Sequence, residues 1–298
     1  MGSASSIFKQ LSQSRDARFA HWSEHDALSS TLGIEKRDDA FTPLSGMKIF
    51  NSFTESEKDS LFHGFNQLNA EIIINLEQLL LYADHRIQKL DDSARSALDQ
   101  FIAEELLHIK KFREHLKWKD GNSWRDRSLL IFQDSHIRKF YCLIIRFQPF
   151  SIFLPAAKSE IYSIQYANFL NKNKGANAGR WASLLRHHAI DEAAHIGVDF
   201  ELLKSRLQEL NPFQVLALSL ATLGFFFCTQ LILIKPAYRL IRQIFPKASF
   251  IKKLRLTVQF TYWTLSLFAP YPETRKILRL YFKSQKHGFF YCFRFMYW

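Results

Sequence analysis

With 298 residues, 47% of them hydrophobic and 23% charged, the chain is long enough to bury a sizeable core and too apolar to be a disordered polymer. Ten glycines and eight prolines are few for an all-β protein, and three scattered cysteines (Cys142, Cys228, Cys292) with no CxxC pair exclude a disulfide framework and a thiolate zinc site. The net charge of +12 is concentrated: residues 235–298 hold 13 Lys and Arg against the single acid Glu273, leaving 27 of each sign before them.

Residues 1–50 are polar and mixed, without a strong period, and read as an N-terminal arm. Its start has no continuous apolar segment of the secretory kind, so the cysteine usage points to a cytoplasmic setting. Thr54-Glu-Ser-Glu57 offers a capping box, which opens a helical pattern to about residue 87. Within it, EIIINLEQLLLY is apolar on most faces and predicts burial. Asp91 or Asp92 caps a second helix through about residue 118, and KDGNSWRD reads as a loop. Further helical runs cover about 128–147, 151–172 and 180–210, with Pro212 expected to stop the last.

Nothing alternates with period two for long. Two antiparallel pairs of long helices separated by a crossover predict an all-α fold. The expected arrangement is a four-helix bundle over residues 51–211, with one long connection and additional C-terminal helices over 212–298.

Residues 213–234 form 22 positions without a charge, a length that suits a membrane span. A buried helix of an enlarged bundle fits as well, because Gln214, Ser219, Thr222, Thr229 and Gln230 dilute the run. The basic residues that follow, mixed with aromatic and aliphatic side chains, suit an anionic membrane surface across 213–298. No nucleic-acid motif accompanies them, so no nucleic-acid partner is expected.

The chemistry concentrates in two stretches. HHAIDEAAH places His188, Glu192 and His195 at i, i+4 and i+7, on one helical stripe, while His187 and Asp191 point one step round. FIAEELLHIKKF contains Glu105-x-x-His108 with Glu104 just before it, so acid-Glu-x-x-His occurs twice. One such motif is weak; the repetition, each time on the second helix of a pair, is specific.

Each first helix also carries a glutamate at matching distance. Glu71 lies 34 residues before Glu105, and Glu160 lies 32 before Glu192. Glu77 competes with Glu71, since the pairing arithmetic tolerates either; the matched spacing favours Glu71. Four glutamates and two histidines facing one bundle axis suit two iron or manganese ions, which need hard oxygen bridges and leave positions open for O₂. Buried without a cation, those carboxylates would each cost several kcal/mol of desolvation.

This layout resembles the ferritin-like di-iron carboxylate proteins, and within them the p-aminobenzoate N-oxygenase family. That family repeats a Glu followed about thirty residues later by Asp-Glu-x-x-His and adds a histidine one turn before the second motif glutamate, where His188 stands. The resemblance covers residues 55–210. It departs at Glu104-Glu105, where the family has Asp-Glu, and in the basic C-terminal region. A looser similarity exists to a family of metal-dependent hydrolases with an F-I-x-x-E-x-x-H helix and a later H-x-x-x-E-x-x-H.

The expectation is a di-iron oxygenase holding two Fe ions, with Mn as the other candidate metal, through Glu71, Glu105, His108, Glu160, His188, Glu192 and His195. Glu104 and Asp191 are expected to orient the opposing histidines. O₂, an organic substrate and an electron donor or reductant are the expected partners; the resemblance implies arylamine oxidation, and the apolar C-terminus suits a hydrophobic substrate equally. A homodimer is compatible with this reading. A dinuclear hydrolase and a non-enzymatic iron-binding protein stand as alternatives.

Overall fold

The computed structural model describes residues 21–23, 25–26, 49–120, 136–171 and 179–267, and among them there are helices and no strand. After a 3-10 turn at Phe50–Ser52 comes α1, Glu55–Asp84. Its capping box is formed as expected: Glu57 N–H reaches Thr54 Oγ1 at 3.3 Å, and Thr54 N–H reaches Glu57 Oε2 at 2.8 Å. The chain reverses after Asp84, with Lys89 in the left-handed region at φ 63°. Arg95 secures the reversal, donating to Asp84 Oδ1 at 2.7 Å and to the Ile87 carbonyl at 2.8 Å. The following helix, α2, spans Asp92–Asp120, and Asp91 Oδ1 caps it by accepting from Ala94 N–H at 2.8 Å.

Next come α3 (His136–Phe147), a 3-10 turn (Pro149–Ile152), α4 (Phe153–Asn171) and α5 (Arg180–Glu209). The part of the expected third helix before residue 136 lies outside the described residues. Four of these helices close a ring: α1 packs on α2, α2 on α5, α5 on α4, and α4 on α1. Neighbours run antiparallel. Between α2 and α5, Glu104 meets His195, His108 meets His188 and Phe112 meets Trp181, one helix rising as the other falls. Between α1 and α4, Tyr166 Oη donates to Asn66 Oδ1 at 2.8 Å and Tyr162 Oη to Asn69 Oδ1 at 3.2 Å. For α4 and α5, Arg206 near the end of α5 stacks over Phe150, just before α4 begins. In chain order the ring runs up, down, down, up, so the connection containing α3 crosses the length of the bundle.

Two long helices complete the described fold: α6, Pro212–Ile244, and α7, Phe250–Leu267. Here Pro212 begins α6 rather than ending α5, which stops at Glu209. At the first helical position the missing N–H of proline has no partner to lose, and Asn211 with Gln214 caps the start. The uncharged run of residues 213–234 is therefore one part of a longer helix that continues through Lys235, Arg239 and Arg242. One face of α6 (Leu218, Phe225, Leu233, Ile241) is buried, and α6 packs on α1 and α3. Its buried Ser219 and Thr222 hydroxyls donate to the Val215 and Leu218 carbonyls, at 2.7 and 2.9 Å, so their burial leaves no donor unpaired. Among the described residues no helix is long and apolar enough to cross a membrane.

A continuous hydrophobic core takes in Trp22 from the arm, Phe65, Phe112 and Phe200 from the ring, and Phe225 and Phe260 from α6 and α7. Arm, bundle and C-terminal helices thus pack as one unit around the polar seam described next.

Candidate metal centre

The helical period of α5 aligns His188, Glu192, His195 and Asp199 on one stripe, and all four are buried. Facing them, α2 contributes Glu104, Glu105 and His108, α1 contributes Glu77, and α4 contributes Glu160, again all buried. The donor atoms fall into two adjacent groups, Glu77–His108–His188–Glu192 and Glu105–His108–Glu192–His195, each within 4.8 Å of one another.

The individual atoms show how two positions arise. Glu192 Oε1 lies 2.5 Å from His188 Nε2 and 3.7 Å from His108 Nδ1, whereas its Oε2 lies 3.4 Å from His195 Nδ1. Glu105 is split the same way, with Oε2 3.6 Å from His108 Nδ1 and Oε1 2.9 Å from His195 Nδ1. Both carboxylates therefore present one oxygen to each side. Glu77 Oε1 stands 3.6 Å from His108 Nδ1 and 3.5 Å from His188 Nε2, on the first side. Because an imidazole nitrogen carries one lone pair, His108 can serve one position only. The first side then offers Glu77, His188 and His108, the second offers His195, and Glu105 and Glu192 lie between them.

Behind this shell the outer ring nitrogens are held across the α2–α5 interface. His195 Nε2 donates to Glu104 Oε2 at 2.7 Å, and His108 Nε2 donates to Asp191 Oδ2 at 3.0 Å. Each helix thus orients the histidine of the other and turns its Nδ1 inward, toward Glu105 and Glu192.

Most of those inner atoms make no well-aligned hydrogen bond. Glu77, His108 Nδ1, His188 Nε2, Glu192 and His195 Nδ1 meet only as close charged pairs, and the buried Glu160 and Asp199 carboxyls face each other. Five interior carboxylates against three histidines leave an excess of negative charge that only cations or protons can neutralise. Donors converging at ligand distance fit a metal ion better than they fit a folded core without one.

The titration of these groups reflects the same crowding. Burial and then the Glu105 charge push Glu77 up to about 7, against the pull of His108 and His188. Burial, followed by the charges of Asp199 and Glu192, holds Glu160 well above the usual carboxylate range. Asp199 is also raised, by burial first, despite contact with Glu160 and the charge of His195. Burial opposes ionisation of Glu192 too, but His188 and His195 outweigh it and hold that carboxyl below its usual range.

Glu160 and Asp199 stand beyond the two ligand groups. Glu160 lines a cavity of about 20 Å³ together with Glu77, Glu105, His188 and Glu192. Apolar Ile73, Leu76 and Leu80 of α1 and small Ala156, Ser159 and Ser163 of α4 form its other walls. That volume holds about one water-sized molecule.

Of the residues expected from the sequence, Glu105, His108, His188, Glu192 and His195 come together, Glu160 faces the same cavity, and Glu104 and Asp191 hold the outer nitrogens. Glu71 is not brought into either ligand group; Glu77 takes that place. Glu71 is buried one and two-thirds turns away on α1, where its Oε1 accepts from Gln67 Nε2 at 2.9 Å and its carbonyl from Asn75.

Sequence reasoning missed two contributions. Asp199 lies one turn beyond His195, and extending the stripe would have found it. The arm was missed altogether: Trp22 Nε1 donates to Asp191 Oδ2 at 2.8 Å, onto the oxygen that holds His108, and His21 Nε2 lies 3.5 Å from it. His25 Nδ1 pairs with Ser183 Oγ at 3.1 Å, and Asp26 binds Lys111 of α2. His187, one step round from the ligand stripe, is the stacking partner of His21, with rings 5.7 Å apart, and donates to the Ser183 carbonyl at 2.8 Å.

Comparison with protein-family models, curated proteins and solved structures yields no match to this chain.

Proposed function

We propose that this protein is a non-haem di-iron oxygenase with ferritin-like topology, activating O₂ to oxidise an organic substrate. The observation that carries the reading is the pair of adjacent donor groups between which Glu105 and Glu192 each present one oxygen to either side. Carboxylate oxygens with one or two imidazoles per position suit iron or manganese. The up, down, down, up ring with a long crossover supports the ferritin-like assignment.

When bound, the metal pair supplies the electrons for O₂ reduction and is recharged by an external reductant. The chain's own residues prepare that chemistry. Glu105 and Glu192 balance the charge between the two positions, Glu77 and His188 complete the first, and His195 serves the second. Glu104 and Asp191 hold Nε2 of His195 and His108, so that Nδ1 of each points inward, where a bound metal would displace its proton. Ile73, Leu76 and Leu80 line the cavity on its α1 side and offer apolar contact to a hydrophobic or aromatic substrate, of which an arylamine is the case implied by resemblance. A cavity this small has room for a diatomic molecule at most, while an organic substrate requires side chains of α1 or α4 to yield.

The water-sized cavity against the same carboxylates also favours a second reading, in which a metal-held water attacks a hydrolysable substrate. One experiment separates them: metal analysis of the purified protein, followed by O₂ uptake on reoxidation of the chemically reduced form. Two irons per chain and stoichiometric O₂ consumption support the oxygenase. Zinc or manganese with hydrolysis and no O₂ uptake overturns it, and O₂ uptake that never oxidises an added organic compound assigns an iron-binding role.

A further inference from the structure

Helix α7 has an inner face of Leu256 and Phe260 with Thr257 and Thr261, and an outer face that is apolar as well, with basic residues interleaved. Inward, Leu256 and Phe260 are fully buried, and Phe260 meets Phe65 of α1 with ring centroids 6.3 Å apart. Outward, Ile251, Val258 and Tyr262 are 77%, 61% and 66% exposed, and Leu254 and Phe250 are exposed beside them. Positions 251, 254, 258 and 262 follow the helical period, so they form one stripe along the helix. Lys252 and Arg255 are exposed within this face, and Arg242 and Lys247 are exposed at the hairpin that leads into it. No Asp or Glu occurs between Asn211 and Glu273.

We propose that this outer face of α7 docks on an anionic lipid bilayer and lies in its interface. The chemistry selects that occupant. Isoleucine, leucine and valine gain by leaving water for the acyl boundary, while Lys252, Arg255, Lys247 and Arg242 reach lipid phosphates and carboxylates on flexible stems. A second copy of the chain fits less well, because a two-fold contact through this face would set its basic residues against their own copies with no acid between them. Nucleic acid would satisfy the charges but leave the aliphatic stripe in water. The helix lies on the surface without crossing it, in keeping with the absence, among the described residues, of a helix apolar enough to span.

The test uses the full-length protein, sedimented with vesicles of phosphatidylcholine alone or of phosphatidylcholine with phosphatidylserine, at low and at high salt. The expected result is binding that needs phosphatidylserine and weakens with salt. Replacing Lys252→Ser and Arg255→Ser together lowers affinity about 30-fold, from roughly fivefold for each basic residue. Replacing Ile251→Ser and Val258→Ser lowers it at least about tenfold even with every charge kept. All four positions are exposed, so unchanged helicity and melting temperature show that the variants fold. Vesicle binding by both variants equal to that of the unsubstituted protein overturns the proposal, as does failure to bind the phosphatidylserine vesicles. So does a self-association, seen in sedimentation velocity, that the apolar replacements abolish without effect on vesicle binding.

Discussion

Glu104 of α2 holds His195 of α5, with Oε2 2.7 Å from Nε2, and α5 returns the contact through Asp191, whose Oδ2 lies 3.0 Å from His108 Nε2. The same short motif, acid-Glu-x-x-His, thus acts twice in each helix: its glutamate and histidine face inward, and its leading acid reaches across to the other motif. A carboxylate accepting from Nε2 fixes the ring so that Nδ1, turned toward Glu105 and Glu192, is the nitrogen a metal ion would take. Glu104→Gln and Asp191→Asn each remove that charge while keeping the shape. Each is expected to weaken metal binding about 10- to 100-fold. Competition against a chelator of known affinity measures this, with circular dichroism to show that the helices persist; affinity unchanged in both variants would contradict the role.

Glu77 and Glu71 make opposite predictions. Glu77 stands 3.6 Å from His108 Nδ1 and 3.5 Å from His188 Nε2, while Glu71 accepts from Gln67 on its own helix. Glu77→Gln is therefore expected to lose at least one metal per chain, and Glu71→Gln to retain the full complement. Metal content by mass spectrometry, normalised to protein, distinguishes the two. The reverse pattern would return Glu71 to the centre.

Why the sequence disclosed some of these residues and hid others follows from how far apart the partners lie along the chain. Glu105 with His108, and His188 with Glu192 and His195, are fixed relative to one another by the period of a single helix, so spacing alone exposes them. The α1 ligand depends on the register between two helices, which the turn and Arg95 set in space. Six residues along α1 amount to about 9 Å of rise, within the slack that a loop of unknown shape allows. Helix pairing and the capping of α1 and α2 were legible for the same local reason. The docking of Trp22 on Asp191 spans 169 positions and leaves no periodic trace.

Metal removal should be felt throughout the bundle. Glu77, Glu105, Glu160, Glu192 and Asp199 are all buried, and Glu160 and Asp199 are both pushed above the usual carboxylate range by burial before any other cause. The chelated protein is expected to melt at a lower temperature than the loaded one. Adding metal at about a hundred times its Kd should return about 3 kcal/mol per site. Asp199→Asn, which keeps the shape and removes a carboxyl that burial makes costly to ionise, is expected to stabilise the chelated form and to narrow its gap from the loaded form. Thermal denaturation of both proteins with and without chelator checks this, and identical melting temperatures for loaded and chelated wild type would refute it.

The arm makes the last prediction, through His25. Burial foremost, then the neighbouring His187, lowers its pKa to about 4; Asp26 pulls the other way, and Lys111 and Arg180 add to the lowering. Its folded value therefore lies below the ordinary histidine value of about 6.5. Above that pH the docked and undocked arms both carry a neutral His25, and docking is at full strength. As pH falls from about 6.5 to 4, the undocked histidine takes up a proton that the docked one refuses, so docking loses up to about 3 kcal/mol. Trp22 reports the event, since its indole N–H leaves Asp191 when the arm departs. In metal-free protein, the fluorescence difference between the wild type and Trp22→Phe should change in that window. His25→Asn, which has no proton to gain, should shift the midpoint to lower pH. A midpoint that does not move in His25→Asn would place the acid-sensitive contact elsewhere, with the Lys111–Asp26 ion pair next in line.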